Sequence, residues 1–499
     1  MSFASPINTA AYHARHGLPE HARCQFGNTG LIVSRLGFGS YRIDEITAAH
    51  AGALKLALRS GINLIDTSTN YTDGGSERLI GRVLKELFGR GELQREEVVI
   101  VSKAGYVQGQ NMQLAQERER QGREFPEMVK YMQSCWHCLH PDFLSDQIFR
   151  SLARLQLEHL DVLLLHNPEY FLADAQHRHR SDLEAVREEY DRRFREAFAF
   201  LEKQAAAGRI AYYGVSSNTF PHASLHSEFT SLERLWEIAE SLSPQHHFRV
   251  IQFPANLFES GAMFEKNQRH GAQTLLEFAR EKKLATLANR PLNAMHGDGM
   301  RRLASFNTMS LAEAEKIFPA QIAALAENEK KFAQTIFRQF EFNRFVKDDR
   351  PIFAWAEQLR EGLALIRNWA HWDHVKQHTL EPQTEMTLHF LREKTNGAAA
   401  WQEWEREYRH CLAAVVDTLS RYHARDAAAA AEQLAQQLDA AVPALKSSAP
   451  FSQKALRILL NVPGLDCVLL GMRRPPYIAD GLQALKSDQI NDVVSAFKI

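Results

Sequence analysis

The sequence has no excess of charge of one sign. Of its 499 residues, 59 are Lys or Arg and 60 are Asp or Glu, so the formal net charge is −1. Nucleic acids and anionic membrane surfaces attract proteins through clustered positive charge. The balance therefore gives no electrostatic reason to expect either partner.

Long apolar runs and cysteines are also scarce. No stretch reaches the roughly 18 uninterrupted apolar residues that a membrane-spanning helix requires. The five cysteines are few and odd in number, which is typical of a reducing compartment. The opening residues, MSFASPINTAAYHARHGLPEH, lack the basic segment and apolar core of a signal peptide. We therefore expect a cytoplasmic protein.

The sequence does contain a regular alternation of short apolar runs with helical patterns. Continuous apolar runs are typical of parallel strands covered by helices. Eight such runs span residues 30–40, 62–68, 97–105, 160–168, 210–218, 248–256, 284–291 and 465–473. Eight strand–helix units predict an α/β fold, a (β/α)8 TIM barrel.

An open, doubly wound sheet is the alternative to the barrel. Such sheets often carry a glycine-rich dinucleotide fingerprint after the first strand. Here GFGSYR follows that strand and places Arg42 where the third glycine belongs. The pattern favours the barrel.

A barrel of this type needs roughly 250 residues, so about half of the chain is additional. The additions lie at 106–135, 170–195 and about 296–449, and the last predicts a large α-helical insertion. We expect an N-terminal extension at 1–24, barrel strands one to seven at 25–295, the helical insertion at 296–449, and the last barrel helix and strand with a C-terminal helix at 450–499.

Four side chains suited to acid–base chemistry lie at the ends of successive strands. Asp66 ends the second strand, Tyr71 lies in the following loop, and Lys103 and His166 end the third and fourth strands. Taken singly, each has an ordinary structural explanation. Together, an ammonium lowers the pKa of a phenol, a carboxylate keeps a buried lysine charged, and an imidazole orients a carbonyl oxygen. The set suits protonation of a carbonyl oxygen as a hydride reaches its carbon.

These motifs resemble those of the aldo-keto reductase superfamily. IDTSTNYTDGGSERLIG is similar to the family's Asp-Thr-Ala-x-x-Tyr-Gly-x-x-Ser-Glu signature, and VIVSKAG resembles its lysine strand. LHPDFLSDQIFRSLARLQLEHLDVLLLHNPE resembles the helix that leads to its histidine strand. FGNTGLIVSRLGFGSYR is similar to its N-terminal β-hairpin and first strand. The resemblance covers roughly 25–295 and 450–490.

The resemblance implies an NADP(H)-dependent interconversion of an aldehyde, ketone or sugar carbonyl with its alcohol. Tyr71 would be the general acid or base, with Lys103 as its pKa partner and Asp66 supporting Lys103. His166 would orient the carbonyl of a small-molecule substrate. The cofactor carries the hydride, while the protein supplies position and electrostatics.

The resemblance also implies residues that hold the cofactor. The family's Ser-Asn pair after the fifth strand and Gln on the sixth correspond to Ser216, Ser217 or Asn218 and to Gln252, and the doubled serine leaves the register open. The other implied residues are Gly39, Gly471, Arg473, Arg474 and Asp480. The two arginines would meet the extra phosphate of NADP through charge-assisted hydrogen bonds.

Some positions depart from the family pattern. Asn289 and Arg290 stand where many members stack an aromatic side chain on the nicotinamide. Tyr477 replaces an Arg or Gln, and Asp480-Gly481 replaces a Glu-Asn pair. These departures weaken the case for NADP and leave NAD possible as the cofactor.

Two clusters of metal-binding residue types carry weaker signals. CWHCLH brings together Cys135, His137, Cys138 and His140, but no second pair at zinc-site spacing follows, so no metal is expected. The segment HWDHVKQH, at residues 371–378, is expected to lie on the surface or to form part of a lid. Glu77 is interpreted as a favourable charge in the first turn of a helix.

A second interpretation is a cofactor-sensing interaction protein. The superfamily includes channel β subunits that resemble reductases but act mainly as regulatory partners, and the long helical insertion exceeds what a substrate pocket needs. The intact set of four residues favours the enzyme. The sequence does not indicate the substrate, the direction of reaction or the oligomeric state.

Overall fold

The computed structural model describes residues 2–179, 182–296, 299–344 and 351–499. The chain divides into two compact units, Met1–Gly299 with Ala441–Ile499, and Met300–Ala440. The first unit contains the eight apolar runs of the sequence, and the second contains most of the long helical segment between the seventh and eighth runs.

The strands of the described residues are short, as the lengths of the apolar runs predict. In chain order they are β1 (Arg23–Gln25), β2 (Ile32–Ser34), β3 (Leu36–Gly39), β4 (Leu64–Asp66), β5 (Val99–Ala104), β6 (Tyr106–Val107), β7 (Val129–Met132), β8 (Cys135–His137), β9 (Leu160–His166), β10 (Ile210–Ser216), β11 (Phe248–Pro254), β12 (Ala285–Asn289), β13 (Asn293–His296), β14 (Gly299–Arg302) and β15 (Cys467–Gly471).

The helices of the described residues surround the strands and make up the second unit. They are α1 (Pro6–His16), α2 (Ala48–Arg59), α3 (Gly75–Gly89), α4 (Gly109–Arg120), α5 (Pro141–Leu155), α6 (Tyr170–His177), α7 (Leu183–Ala206), α8 (Leu232–Leu242), α9 (Gly261–Phe264), α10 (Leu275–Glu281), α11 (Leu311–Lys331), α12 (Phe337–Gln339), α13 (Trp355–Gly362), α14 (Trp369–Val375), α15 (Glu381–Thr395), α16 (Ala399–His423), α17 (Arg425–Ala441), α18 (Phe451–Leu460) and α19 (Pro475–Lys486).

A closed parallel barrel forms the centre of the first unit. Its strands run in the order β3, β4, β5, β9, β10, β11, β12 and β15, and β15 pairs with β3 to close it. Each of the eight predicted runs contains one barrel strand. The predicted (β/α)8 TIM barrel is therefore confirmed. Because all eight strands are parallel, their carboxyl ends meet at one mouth.

The N-terminal hairpin forms from β1 and β2, which pair antiparallel with Arg23 opposite Ser34. Phe26, Leu31 and Val33 from this segment join the apolar core inside the barrel, beside strand residues such as Leu64 and Val162. The expected hairpin beneath the barrel is confirmed. Its apolar side chains complete the core at the amino end of the strands, away from the mouth.

Local sequence signals explain where several helices begin. A capping box opens α10, because the Thr274 hydroxyl accepts the Glu277 N–H and the Glu277 carboxylate accepts the Thr274 N–H. Ser310 and Glu313 form the same arrangement at the start of α11. The α3 helix buries Leu79, Ile80, Val83, Leu84 and Leu87 on one face, as the spacing of an amphipathic helix requires.

Two insertions extend the barrel at its mouth. After β5, the strands β6, β7 and β8 form a small antiparallel sheet in the order β6–β8–β7, and α4 lies between β6 and β7 in the chain. After β9, the short α6 precedes the 24-residue helix α7. Both insertions follow barrel strands that end in candidate catalytic residues.

The second unit is helical and has its own apolar core. Trp372, Trp401, Trp404 and Tyr408 are fully buried in it, together with leucines of α11, α15 and α16 and with Phe332, Phe342 and Phe353. The Trp404 and Tyr408 rings stack 5.1 Å apart. None of the helices in the described part of the chain combines the length and apolar character needed to cross a membrane.

A buried ion pair at the amino end of the strands yields a stability prediction. The Asp161 carboxylate accepts the Arg95 guanidinium at 3.0 Å, the Ile100 N–H at 2.7 Å and the Ala4 N–H at 2.7 Å. We expect Asp161→Ala to lower the free energy of unfolding by about 3–5 kcal/mol, because Arg95 stays buried without its counter-charge. Urea unfolding followed by circular dichroism measures this loss. Asp488→Ala, at an exposed carboxylate of the same unit, is the control and should change the free energy by less than about 0.5 kcal/mol. Equal effects would contradict the prediction.

Candidate active site

Lys103 occupies the centre of the barrel mouth and is fully buried. Its ammonium donates to the Asp66 carboxylate at 2.7 Å, to the Thr67 carbonyl at 2.8 Å and to Tyr71 Oη at 3.0 Å. A lysine ammonium has three N–H donors, so these contacts use all of them. The residues expected at the ends of the second and third strands therefore do lie together.

The loop after β4 directs Tyr71 back over the strand ends. The Tyr71 N–H donates to the Ser68 carbonyl at 3.2 Å. Thr72, Asp73 and Gly74 then adopt positive φ values of 46°, 53° and 80°. Side-chain-bearing residues rarely adopt this region, and such strain is often found at functional sites. This sharp turn positions the phenol beside Lys103, and α3 begins immediately after it.

Burial opposes charge on all three of these groups. It lowers the pKa of Lys103, although Asp66 partly restores it, and it raises the pKa of Asp66. Burial, and then the Asp66 charge, raise the pKa of Tyr71 well above its usual value. Burial therefore outweighs the effect of the Lys103 ammonium in this structure, and the role of Lys103 as the pKa partner of Tyr71 stays a prediction. The raised pKa favours the neutral phenol.

His166 ends β9 and lies across the mouth from Lys103. Its Nδ1 is 3.0 Å from Ser68 Oγ, and its ring centroid is 6.0 Å from that of Tyr71. Tyr106 packs edge-on against the imidazole, with 4.7 Å between centroids. Burial, followed by the charge of Lys103, lowers the pKa of His166 well below its usual value. The imidazole is therefore neutral, and its Nε2 has no hydrogen bond to any described residue.

A polar chain continues from Asp66 across the strand ends. Gln252 on β11 donates to Asp66 Oδ1 at 2.7 Å and accepts the Ser216 hydroxyl at 3.1 Å. Asn289, at the end of β12, donates to the same Gln252 oxygen at 3.4 Å. The Asn289 Oδ1 atom is buried and has no hydrogen-bond partner among the described residues. The candidate cofactor residues of β10 and β11 are thus connected directly to the acid–base group.

The structure separates the two adjacent serines whose register the sequence left open. Ser216 Oγ is directed to Gln252, whereas Ser217 Oγ lies 3.1 Å from Thr219 Oγ1 and 3.3 Å from Thr230 Oγ1. Asn218 is half-buried. Ser216 therefore belongs with the amide side chains of Gln252 and Asn289. Ser217 belongs instead to a cluster of hydroxyl groups with Thr219 and Thr230.

The remaining candidate cofactor residues lie where β3 and β15 end. Gly39 and Gly471 are paired across these strands at the mouth, and an added side-chain carbon at Gly471 would meet nothing within 4 Å. Arg473 and Arg474 follow, immediately before α19. The Asp480 carboxylate on α19 instead accepts Ser452 Oγ at 2.5 Å and Gln453 Nε2 at 2.8 Å. The Asp480 side chain thus connects α19 to α18.

The structure also shows where the residues that depart from the family pattern near the seventh and eighth strands lie. The Arg290 guanidinium forms an ion pair with Glu259 at 2.8 Å. Tyr477 is 39% exposed on α19. A side-chain carbon at Gly481 would come within 2.8 Å of Leu36 and Leu470, so this glycine lets α19 pack closely on the barrel. Of the seventh-strand pair, only Asn289 reaches the polar chain described above.

Sequence reasoning missed several contacts around His166. His137, considered only as a weak metal ligand, lies with Nε2 2.8 Å from the His166 carbonyl oxygen. Cys138 Sγ instead donates to the Pro126 carbonyl at 3.4 Å. Gly105, with φ at 153°, lets the insertion pass close to β9, because a side-chain carbon there would lie 2.6 Å from the His166 oxygen. Gly105, directly after β5, was the signal in the sequence that another segment passes close to the chain here.

The structure also places the other histidines of the two weak metal-binding patterns, and Glu77. The His140 ring nitrogen accepts the Asp142 N–H at the start of α5. In the second unit, the His374 and His378 rings pack 4.6 Å apart. Glu77 lies in the first turn of α3, as expected, and it is fully buried, where its carboxylate accepts Ser102, Ser151 and Arg154. Its role is to join α3 to β5 and α5.

The Lys103–Asp66 pair yields a prediction about pH. In Asp66→Asn the buried lysine loses its counter-charge, so its pKa, already lowered by burial, falls further. A base whose folded pKa lies below its unfolded value makes stability rise with pH, because the unfolded chain binds more protons. We therefore expect the stability deficit of Asp66→Asn to be largest near pH 7 and smaller near pH 9.5. Urea unfolding at both pH values tests this, with Asp488→Asn as the exposed control. A deficit independent of pH would contradict it.

Comparisons with known proteins agree with the observed fold. The NADH-specific methylglyoxal reductase of Escherichia coli (strain K12) is 30% identical over 156 residues, which are 28% of this chain and 40% of that protein. The chain thus spans less than half of that relative. The NAD(P)H-dependent D-xylose reductase of Scheffersomyces stipitis (strain ATCC 58785 / CBS 6054 / NBRC 10063 / NRRL Y-11545) is 23% identical over 316 residues, 62% of this chain and 79% of that protein.

A solved structure is similar over most of the chain at low identity. It is an aldo/keto reductase from Klebsiella pneumoniae in complex with NADP and acetate, 15% identical, with a TM-score of 0.42 over 96% of this chain and 94% of that one. This likeness is too distant to bear on ligands. Residues 35–302, more than half of the chain, match the sequence pattern of the aldo/keto reductase family. Together with the closed barrel, that match shows that the chain belongs to the aldo/keto reductase family.

Proposed function

We propose that this oxidoreductase uses NADP(H) to interconvert an aldehyde, ketone or sugar carbonyl with its alcohol. The observation that carries the proposal is the position of Lys103 Nζ, which contacts both the Asp66 carboxylate and Tyr71 Oη at the barrel mouth. The names of the two relatives support the substrate class, since methylglyoxal and D-xylose are both carbonyl compounds.

The donor set fits a nicotinamide cofactor. A carboxamide offers two N–H donors and one oxygen acceptor, and it is recognised by amide and hydroxyl groups. Ser216, Gln252 and Asn289 supply such groups side by side, and the buried Asn289 oxygen lacks a partner among the described residues. We assign these three residues to the carboxamide. When bound, the cofactor supplies or accepts the hydride.

Tyr71 is the proposed proton donor for reduction. Its raised pKa keeps the proton on Oη until a carbonyl oxygen becomes basic enough to take it. The phenolate that then remains lies 3.0 Å from the Lys103 ammonium, which stabilises its charge. Asp66 holds Lys103 in place and favours its charged form. In the oxidation direction, the same phenolate accepts the alcohol proton.

His166 is the proposed hydrogen-bond donor that orients the substrate carbonyl. A neutral imidazole carries one N–H, and donation to a carbonyl from the open side of the ring requires that proton on Nε2. Ser68 Oγ lies 3.0 Å from Nδ1 and 2.7 Å from Asn70 Oδ1, so this tautomer requires its single hydroxyl proton to be directed to Nδ1 rather than to Asn70. Tyr106 packs against the ring and restricts its rotation. A low pKa keeps His166 neutral, so it orients the carbonyl without supplying the transferred proton.

The role of Tyr71 is tested by removing its hydroxyl. We expect Tyr71→Phe to lower kcat by about 10²–10⁴-fold, the range typical of general acid–base catalysis. The dissociation constant of the cofactor should stay within about twofold, because the ring remains in place. Steady-state assays on a panel of aldehydes, ketones and sugars, with fluorescence titration of NADPH, measure the two quantities. Tyr422→Phe, in the helical unit, is the matched control. Unchanged turnover in Tyr71→Phe would refute this assignment.

The assignment of NADP rests on Arg473 and Arg474, which follow β15 at the mouth. We expect parallel fluorescence titrations to show tighter binding of NADPH than of NADH. Arg473→Ala and Arg474→Ala should each weaken NADPH binding by about tenfold, as charge-assisted hydrogen bonds to phosphate predict. NADH affinity should change by less than about twofold. Arg367→Ala, at an exposed arginine of the helical unit, is the control.

The same titrations test the proposal as a whole. Binding of neither cofactor would refute the oxidoreductase mechanism proposed above. Tighter binding of NADH, with no effect of the two arginine variants, would assign NAD to the site instead of NADP.

A further inference from the structure

A buried carboxylate outside the acid–base group lies beside the proposed cofactor segment. Glu169, immediately before α6, is only 4% exposed. Its Oε1 atom accepts the Asn218 backbone N–H at 2.9 Å. Its Oε2 atom is buried and has no hydrogen-bond partner among the described residues. The mechanism above assigns no role to this group.

Glu169 continues the connection between β9 and β10 beyond the point where the strands end. The last backbone link from the β9 side is the Asn167 N–H, which donates to the Ser216 carbonyl at 2.7 Å. Ser217 is held from the other side, since its N–H donates to the Gln252 carbonyl at 3.0 Å. For Asn218, the Glu169 carboxylate takes the place of a backbone acceptor. It therefore anchors the segment 216–218, which begins with Ser216.

The surroundings of Glu169 contribute little positive charge. The titratable groups facing it are the phenols of Tyr106 on β6, Tyr170 on α6 and Tyr190 on α7, and the carboxylate of Glu228 in the loop before α8.

Arg187 of α7 lies beside Tyr190, but its guanidinium donates to the backbone carbonyls of His226, Ser227 and Phe229. Burial therefore dominates at Glu169. It raises the pKa of the carboxyl group to about 7, although the hydrogen bond from the Asn218 N–H favours the charged form.

We propose that Glu169 is a positioning residue for cofactor binding, whose carboxylate holds the segment 216–218 in the conformation that receives the nicotinamide carboxamide. This inference rests on the proposed function. A carboxylate accepts a hydrogen bond more strongly than a neutral carboxyl group does. Protonation of Glu169 therefore loosens its hold on Asn218 and weakens cofactor binding. By linkage, cofactor binding favours the charged form and releases a proton near neutral pH.

Cofactor titration as a function of pH tests this role directly. We expect the dissociation constant of NADPH for the wild-type protein to rise about fivefold between pH 8 and pH 6, the difference between charged and neutral acceptors. In Glu169→Gln the same range should change it by less than about twofold. Titration of the NADPH phosphate affects both proteins equally and cancels in the comparison. Glu184→Gln, at an exposed carboxylate of α7, should behave as the wild type.

Two further measurements keep the test decisive if Glu169→Gln does not fold. Glu169→Asp retains a carboxylate one methylene shorter, so it should bind NADPH more weakly at every pH while keeping the pH dependence. Calorimetry of the wild-type protein at pH 7, in two buffers of different ionisation enthalpy, should show net proton release on binding of NADH, which lacks the titrating 2′-phosphate of NADPH. Proton uptake, or no exchange, would overturn the inference.

The outcomes separate this inference from the proposed function. Absence of NADPH and NADH binding at any pH would refute both. Binding whose pH dependence is the same in the wild type and in Glu169→Gln would refute the role of Glu169 alone and leave the oxidoreductase proposal standing. A pH dependence lost only in Glu169→Gln would support both.

Discussion

The structure of the mouth depends on the buried ion pair between Lys103 and Asp66. A fully buried ammonium is costly unless a carboxylate and further acceptors surround it, and here Asp66, Thr67 and Tyr71 take its three donors. These contacts require β4 and β5 to be adjacent and in register, with Asp66 opposite Val101. The strained turn that follows β4 is directed toward the same lysine. The pairing of β4 with β5 in the barrel therefore also determines the geometry of the candidate active site.

Asp66 also connects the acid–base group to the residues proposed to hold the cofactor. Its second oxygen accepts the Gln252 amide, and Gln252 in turn accepts Ser216 and Asn289. A change in the charge or position of Asp66 thus acts on both halves of the site. Glu169 plays a comparable part just beyond the end of β10, where its carboxylate accepts the Asn218 N–H in place of a strand partner. Two buried carboxylates therefore organise the strand ends together with the Lys103 ammonium.

Much of the fold was predictable because its signals are local. Each barrel strand is a short apolar run, and the lysine and tyrosine contacts follow from residues placed at strand ends. The pKa of Tyr71 was not predictable, since its direction depends on how completely Asp66 balances Lys103 and on how deeply the phenol is buried. The contact of His137 with the His166 carbonyl was also missed, because it joins two segments 29 residues apart.

The sequence by itself determined the strand–helix alternation, the hairpin, and the identity of the residues at the strand ends, because periodicity and residue type act over a few neighbouring positions. Tertiary structure alone decided which serine of the pair faces Gln252, that Asp480 contacts α18, and that Glu169 is buried beside Asn218. These outcomes depend on the packing of segments distant in the chain. Hydrogen-bond partners and burial, unlike strand propensity, exist only once those segments meet.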